Sequence, residues 1–146
     1  MANTQEISNQ FRSNILTTGF NLTTKSLKAA IFFTSATVNA TTLVYSTTGE
    51  ATGTGYTAGG AAVTNAVAVT GANSTITGDT YYWTPSAAIT WTTVTIAAFD
   101  TIEIYDANTP FNVVGTWNIG NQTVTAGNIT INMPANAAGT ALVRLL

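Results

Sequence analysis

Three carboxylates, Asp100, Glu103 and Asp106, stand close together in "DTIEIYD". Acids so spaced are what two kinds of chemistry require. A pair can divide one proton between them in glycoside hydrolysis, and a group can hold a hard cation. In an extended strand, however, alternate side chains point to opposite faces. Glu103 then faces away from Ile102 and Ile104, while Asp100 and Asp106 bracket the strand as turn residues. The expectation for these acids is structural. Glu6, Glu50 and Asp79, the remaining carboxylates, are scattered along the chain.

A second candidate is "GTGYTAGG", residues 53–60. A phosphate-cradling loop needs a following lysine or a helix N-terminus to supply positive potential. Here "GTGYTAGGAAVTNAVAV" runs on into a strand, and no cation follows until Arg144. Gly53, Gly55, Gly59 and Gly60 are therefore expected to provide the backbone conformations of a turn or bulge, with Tyr56 lying across the sheet. On that reading Gly59→Val destabilises the fold and disturbs no ligand. A third candidate is a sugar-stacking platform built from Trp83, Trp91, Trp117, Tyr81, Tyr82 and Tyr105. Most of these occupy strand positions where a large aromatic fills the space between sheets, so most are expected in the core. The chain has no histidine to activate its many hydroxyls and no cysteine to serve as thiolate or disulfide. Neither catalysis nor a metal or other cofactor is expected.

The elements that hold these residues follow from periodicity. Ile7, Phe11 and Ile15 recur every fourth residue, with Asn3 and Glu6 placed as a capping pair before them and Gly19 after, which predicts a helix over about residues 4–18. The stripe is one residue wide and suits packing on a sheet or on a neighbouring subunit. From there on the period is two. In "SLKAAIFFTS", Leu27, Ala29, Ile31 and Phe33 face one way and Lys28, Ala30 and Phe32 the other. "AAVTNAVAV", "DTYYWTP", "ITWTTVTIAA", "DTIEIYD", "FNVVGTWNI", "NITINM" and "TALVRLL" follow, separated by Gly, Asn, Asp or Pro. The predicted fold is all-β, an antiparallel β-sandwich or jelly-roll-like domain over residues 21–146, preceded by a helix and arm over residues 1–20.

Composition narrows the function classes. Of 146 residues only 7% are charged and 45% are apolar, against roughly 25% charged in ordinary domains. Four cations, Arg12, Lys25, Lys28 and Arg144, form no basic patch, so no nucleic-acid partner is expected. No apolar run is long enough for a membrane helix, and "MANTQEISNQ" has no secretory signal pattern. A surface so poor in charge does little to repel its own copies, and this favours a homo-oligomer, with a trimer preferred.

The order "TTKSLKAAIFFTSA", "GTGYTAGGAAVTN", "ITWTTVTIAAFDTIEIYDA", "VGTWNIGNQTVTAGNITINMP" and "ALVRLL" resembles a group of small virion structural proteins of tailed bacteriophages. The resemblance covers about residues 8–146 and is carried mainly by "GTGYTAGG" together with "EIYDA". It departs between Phe33 and Glu50, where such proteins often carry charged loops and this chain has Thr, Ser, Ala and Asn. The resemblance implies a virion component without catalytic residues, assembled in the host bacterial cytoplasm, whose partners are the major capsid protein or other virion proteins. A capsid decoration or cement protein is the leading expectation, a tail or fibre-attachment component the alternative, and a carbohydrate-binding module the third. Ile7, Phe11 and Ile15 are the expected contact with a neighbouring subunit or with the capsid.

Overall fold

The computed structural model describes residues 3–64, 70–71, 81–137 and 139–145. Asp79 and residues 65–69 of the predicted "AAVTNAVAV" strand lie outside them. Eight strands and one helix follow in order: β1 (Glu6–Ile7), α1 (Asn9–Thr17), β2 (Leu27–Phe33), β3 (Ala61–Ala62), β4 (Thr70–Gly71), β5 (Tyr81–Trp83), β6 (Ile89–Asp106), β7 (Val113–Ile131) and β8 (Val143–Leu145). They form a five-stranded sheet, β1-β7-β6-β2-β3, and a three-stranded sheet, β4-β5-β8. Every pairing is antiparallel. Among the described residues the protein is all-β with one short helix.

Alternation gives the large sheet two buried faces. Leu27, Ala29 and Ile31 from β2 and Ile102 and Ile104 from β6 enter the main core, which Trp83 and Val143 of the smaller sheet also join. Ala30, Phe32 and Tyr105, from the intervening positions, meet Ala36 and Val38 in a second apolar cluster. The segment between β2 and β3 folds over this second face. The alternation read from "SLKAAIFFTS" is thus present, and Phe33 packs on the main core as expected.

Two pairs of predicted short strands are continuous. "ITWTTVTIAA" and "DTIEIYD" are one strand, β6, so Asp100 and Asp106 lie within it instead of bracketing a shorter one. "FNVVGTWNI" and "NITINM" likewise merge in β7. The pairing passes the apparent breaks by shifting register, with Thr93, Ala98 and Ala126 in left-handed backbone conformations. Such bulges add twist and absorb an extra residue without ending the strand.

The N-terminal segment also differs from expectation. The helix spans Asn9–Thr17, and its N-cap is Ser8, whose Oγ accepts a bond from Gln10 N at 3.1 Å. Asn3 and Glu6 are not a capping pair. Asn3 Nδ2 donates to Phe33 O and to Asp100 Oδ1, and Glu6 Oε2 accepts from Ala40 N. Their polar groups serve the loop over the second face, while Glu6 and Ile7 pair with Thr116 and Gly115 on the edge of β7. Gly19, at φ +63°, closes the helix where expected.

The helix and the segment before it pack on the same core as the strands. Phe11 is only 2% exposed within the main core and meets Phe20 edge-on at 5.5 Å. Ile7 and Ile15 pack against the same core. The stripe Ile7, Phe11, Ile15 faces the chain's own sheet, which corrects the expectation that it contacts a neighbour. Phe11→Ala is therefore expected to cost about 3–5 kcal/mol of folding stability. Urea unfolding of the purified variant measures it, and an unchanged midpoint would contradict this placement.

Candidate functional site

The glycine stretch sits where β2, β6 and the covering loop meet, and close backbone approach explains its composition. Gly53 and Gly55 run along β6 so tightly that a Cβ on either would strike the carbonyl oxygen of Thr95 or Thr93. Thr95 N donates to Thr54 O at 2.9 Å and ties the two segments. Gly55, Gly59 and Gly60 all have positive φ. At Gly60 a Cβ would lie on the Ala29 carbonyl group. The close approaches and left-handed backbone conformations leave no room for a side chain at Gly53, Gly55 or Gly60.

Tyr56 crosses from this turn to the sheet, where its Oη accepts from Ile31 N at 2.9 Å and donates to Glu50 Oε1 at 2.7 Å. Glu50 is the hub. Its Oε1 also accepts from Gly59 N at 2.8 Å, and its Oε2 accepts from Tyr45 Oη at 2.5 Å. Tyr105 Oη donates to Gly59 O at 2.8 Å, and the Tyr45 and Tyr105 rings stack with centroids 4.0 Å apart. Burial, reinforced by the Glu50 carboxylate, pushes the Tyr45 and Tyr56 hydroxyls well above the usual phenol range, and Tyr105 moves up for the same reasons. All three phenols are thereby held protonated as donors. A buried carboxylate satisfied by three donors fixes the turn to the sheet.

Glu103 is the contrast. It lies on β6 opposite Ala30 and Thr116, is 0% exposed, and neither carboxyl oxygen has a hydrogen-bond partner. Burial first, and the nearby Glu50 charge second, raise its pKa to about 8. Its carboxyl is thus mostly protonated at neutral pH. Beside it lies a cavity of about 350 Å³. Phe32 and Glu103 form the floor from the sheet, and the covering loop supplies the walls, among them Ala36, Val38, Ser46 and Thr48.

The other expected acids do not join it. Asp106 pairs with Lys25 at 3.0 Å and bonds Asn108 N and Nδ2, and Asp100 accepts from Asn3 and from Thr101 Oγ1. Among the described residues no three carboxylates converge as a metal cage. Four of the six aromatics of the expected platform are buried on opposite faces of the sheet. Trp83, Trp91 and Trp117 are buried in the main core, and Tyr105 is buried on the other face. Sequence reasoning missed the partnership of Glu50 with Tyr45, Tyr56 and Gly59. Its one signal was a carboxylate placed just ahead of the glycine turn, between two tyrosines.

One surface feature stands out. Leu43, Val44 and Phe111 are exposed apolar residues brought to one end of the large sheet, where Val44 bridges Asn112 and Tyr45 N donates to Phe111 O at 2.9 Å. Phe111 has φ +62° in the β6–β7 turn and is 39% exposed. A bulky residue in the left-handed region is strained. No helix among the described residues is long and apolar enough to cross a membrane. No protein family, curated protein or solved structure matches the chain.

Proposed function

We propose that the chain is a non-enzymatic structural protein of a tailed-bacteriophage virion, a capsid decoration or cement protein that binds the assembled shell as a homo-oligomer, with a trimer preferred. In this reading its two sheets form a jelly-roll-like sandwich, supported by the core that residues of both sheets share. The observation that carries the reading is the apolar group Leu43, Val44 and Phe111 on a surface with few charges. Strain that holds an aromatic ring outward is worth retaining where the ring seats in a neighbouring subunit. Each such contact favours the assembled state by mass action. The sequence resemblance supplies the virion as the setting.

Phe111→Gly separates folding from docking. Glycine relieves the left-handed strain, so thermal stability is expected to hold or to rise by about 1 kcal/mol, while oligomerisation and particle attachment weaken. Sedimentation and a quantitative gel of purified particles measure both. Many copies per particle fit a shell protein, and a small ring of copies indicates the tail alternative. Wild-type attachment by Phe111→Gly would remove the patch from the proposed interface.

A further inference from the structure

We propose that a groove along the far half of the β6–β7 hairpin receives Phe111 of a second copy of this chain, in a head-to-tail contact. The inference rests on the reading of Phe111 as an oligomer contact and names where its ring is seated. The groove holds a cavity of about 320 Å³. Phe99, Ile119, Val124 and Ile131 give it apolar walls, and Gln122 and Asn128 add neutral amides. Ile119 and Ile131 carry the apolar surface on to Met133 and Leu142. All of these aliphatic side chains are only partly buried where they pack on the main core, so they keep surface to offer.

The chemistry of the walls selects the occupant. No lining residue carries a charge, so an ionic group would lose its water there and gain no partner, whereas an apolar one gains by burial. Leu16, Leu43, Val44 and Phe111 are the large apolar side chains that stand exposed among the described residues. Phe111 is the aromatic one, and Leu43 and Val44 stand beside it. An aromatic anchor seated in a pocket and surrounded by lesser apolar contacts is the usual arrangement of a protein interface.

Position then sets the symmetry. Phe111 lies in the turn that joins β6 to β7, whereas the groove follows the stretch in which Gln122 pairs with Phe99 and Ile131 with Ile89. The ring therefore does not reach the groove of its own chain, and the two surfaces do not coincide. Each copy gives its ring to one neighbour and its groove to another, a heterologous contact that repeats until a ring of copies closes. Closure on three copies produces the trimer preferred above.

Sedimentation velocity of the full chain over a concentration series provides the test. The wild type is expected to assemble, and Phe111→Gly and Val124→Glu are each expected to raise the dissociation constant by about tenfold or more. Gln122→Lys, at an exposed wall position, is expected to act in the same direction with the fold intact, and circular dichroism checks each variant. The deciding sample is an equimolar mixture of Phe111→Gly with Val124→Glu, or with Gln122→Lys where Val124→Glu does not fold. The intact ring of the groove variant fits the intact groove of Phe111→Gly, and no further contact is left to make. The mixture is expected to form a dimer of one copy of each, which neither variant forms alone. No complex in the mixture, or wild-type assembly by the folded groove variants, would overturn the proposal. If Phe111→Gly still loses assembly in that case, Phe111 remains an oligomer contact and only its seat is wrong. A wild type that stays monomeric at micromolar concentration would overturn both.

Discussion

Gly60→Ala is expected to cost more than about 4 kcal/mol and to leave little soluble, folded protein. Two causes add. The residue holds φ +69°, a conformation that carries a cost for any side chain, and the new Cβ would lie 2.5 Å from the Ala29 carbonyl carbon and 2.8 Å from Ala30 Cα. Those atoms belong to β2, which is paired on both sides, so its backbone cannot move aside cheaply. Gly19→Ala is the control. Gly19 has nearly the same φ, +63°, but nothing lies within 4 Å of the added methyl group. Its cost is expected to be only the conformational one, about 1–2 kcal/mol. Soluble yield, circular dichroism and urea midpoints of the two variants make the comparison. Equal losses would show that strain and not close approach governs the turn.

The second large effect is a dependence of stability on pH centred on Glu103. Its folded pKa, about 8, lies above the model-peptide value of 4.5, because burial and the Glu50 charge disfavour the ionised form. The sign follows from proton counting. Below pH 4.5 both folded and unfolded chains carry the proton, and this group's contribution is fully present. As pH rises the unfolded chain releases the proton first, so stability falls, by up to about 1.4 kcal/mol per pH unit, until the folded form also ionises near pH 8. Glu103→Gln keeps the shape and removes the titration. The variant is expected to match the wild type near pH 4.5 and to exceed it by several kcal/mol at pH 8. Urea unfolding of both proteins across this range tests the point, and parallel curves would reject it.

Much of the fold was legible because side-chain period reports which face is buried. The alternation in "SLKAAIFFTS" and "TIEIY" placed Ala29, Ile31, Ile102 and Ile104 together. It did not reveal that the opposite face of the same strands is also covered. Glu103 read only as facing away from Ile102 and Ile104, and the distant loop containing Ala36 and Val38 turns that opposite face into a second core. Asp100 and Asp106 read as turn residues because their type favours turns, and the stretch between "FNVVGTWNI" and "NITINM" read as a break between two strands. Long antiparallel pairing kept the strands running instead, and Gly120 merely took up a positive φ within β7. The stripe of Ile7, Phe11 and Ile15 was visible, but a stripe does not say whose surface it meets. For the site, the need for glycine in "GTGYTAGG" could be read directly, whereas the convergence of Tyr45, Tyr56 and Gly59 on Glu50 depends on how the loop folds back.

The pairing of the N-terminal segment with β7 sets an order of events during synthesis. Thr4 O receives a bond from Thr116 Oγ1 across 112 residues, and Asn3 reaches Asp100 across 97. Loop closure over such separations brings an entropic cost that local contacts do not, and it slows folding. The residues that leave the ribosome early are therefore among the last to find their place. Until they do, the outer edge of β7 at Gly115 and Thr116 stands open as a template for strand addition.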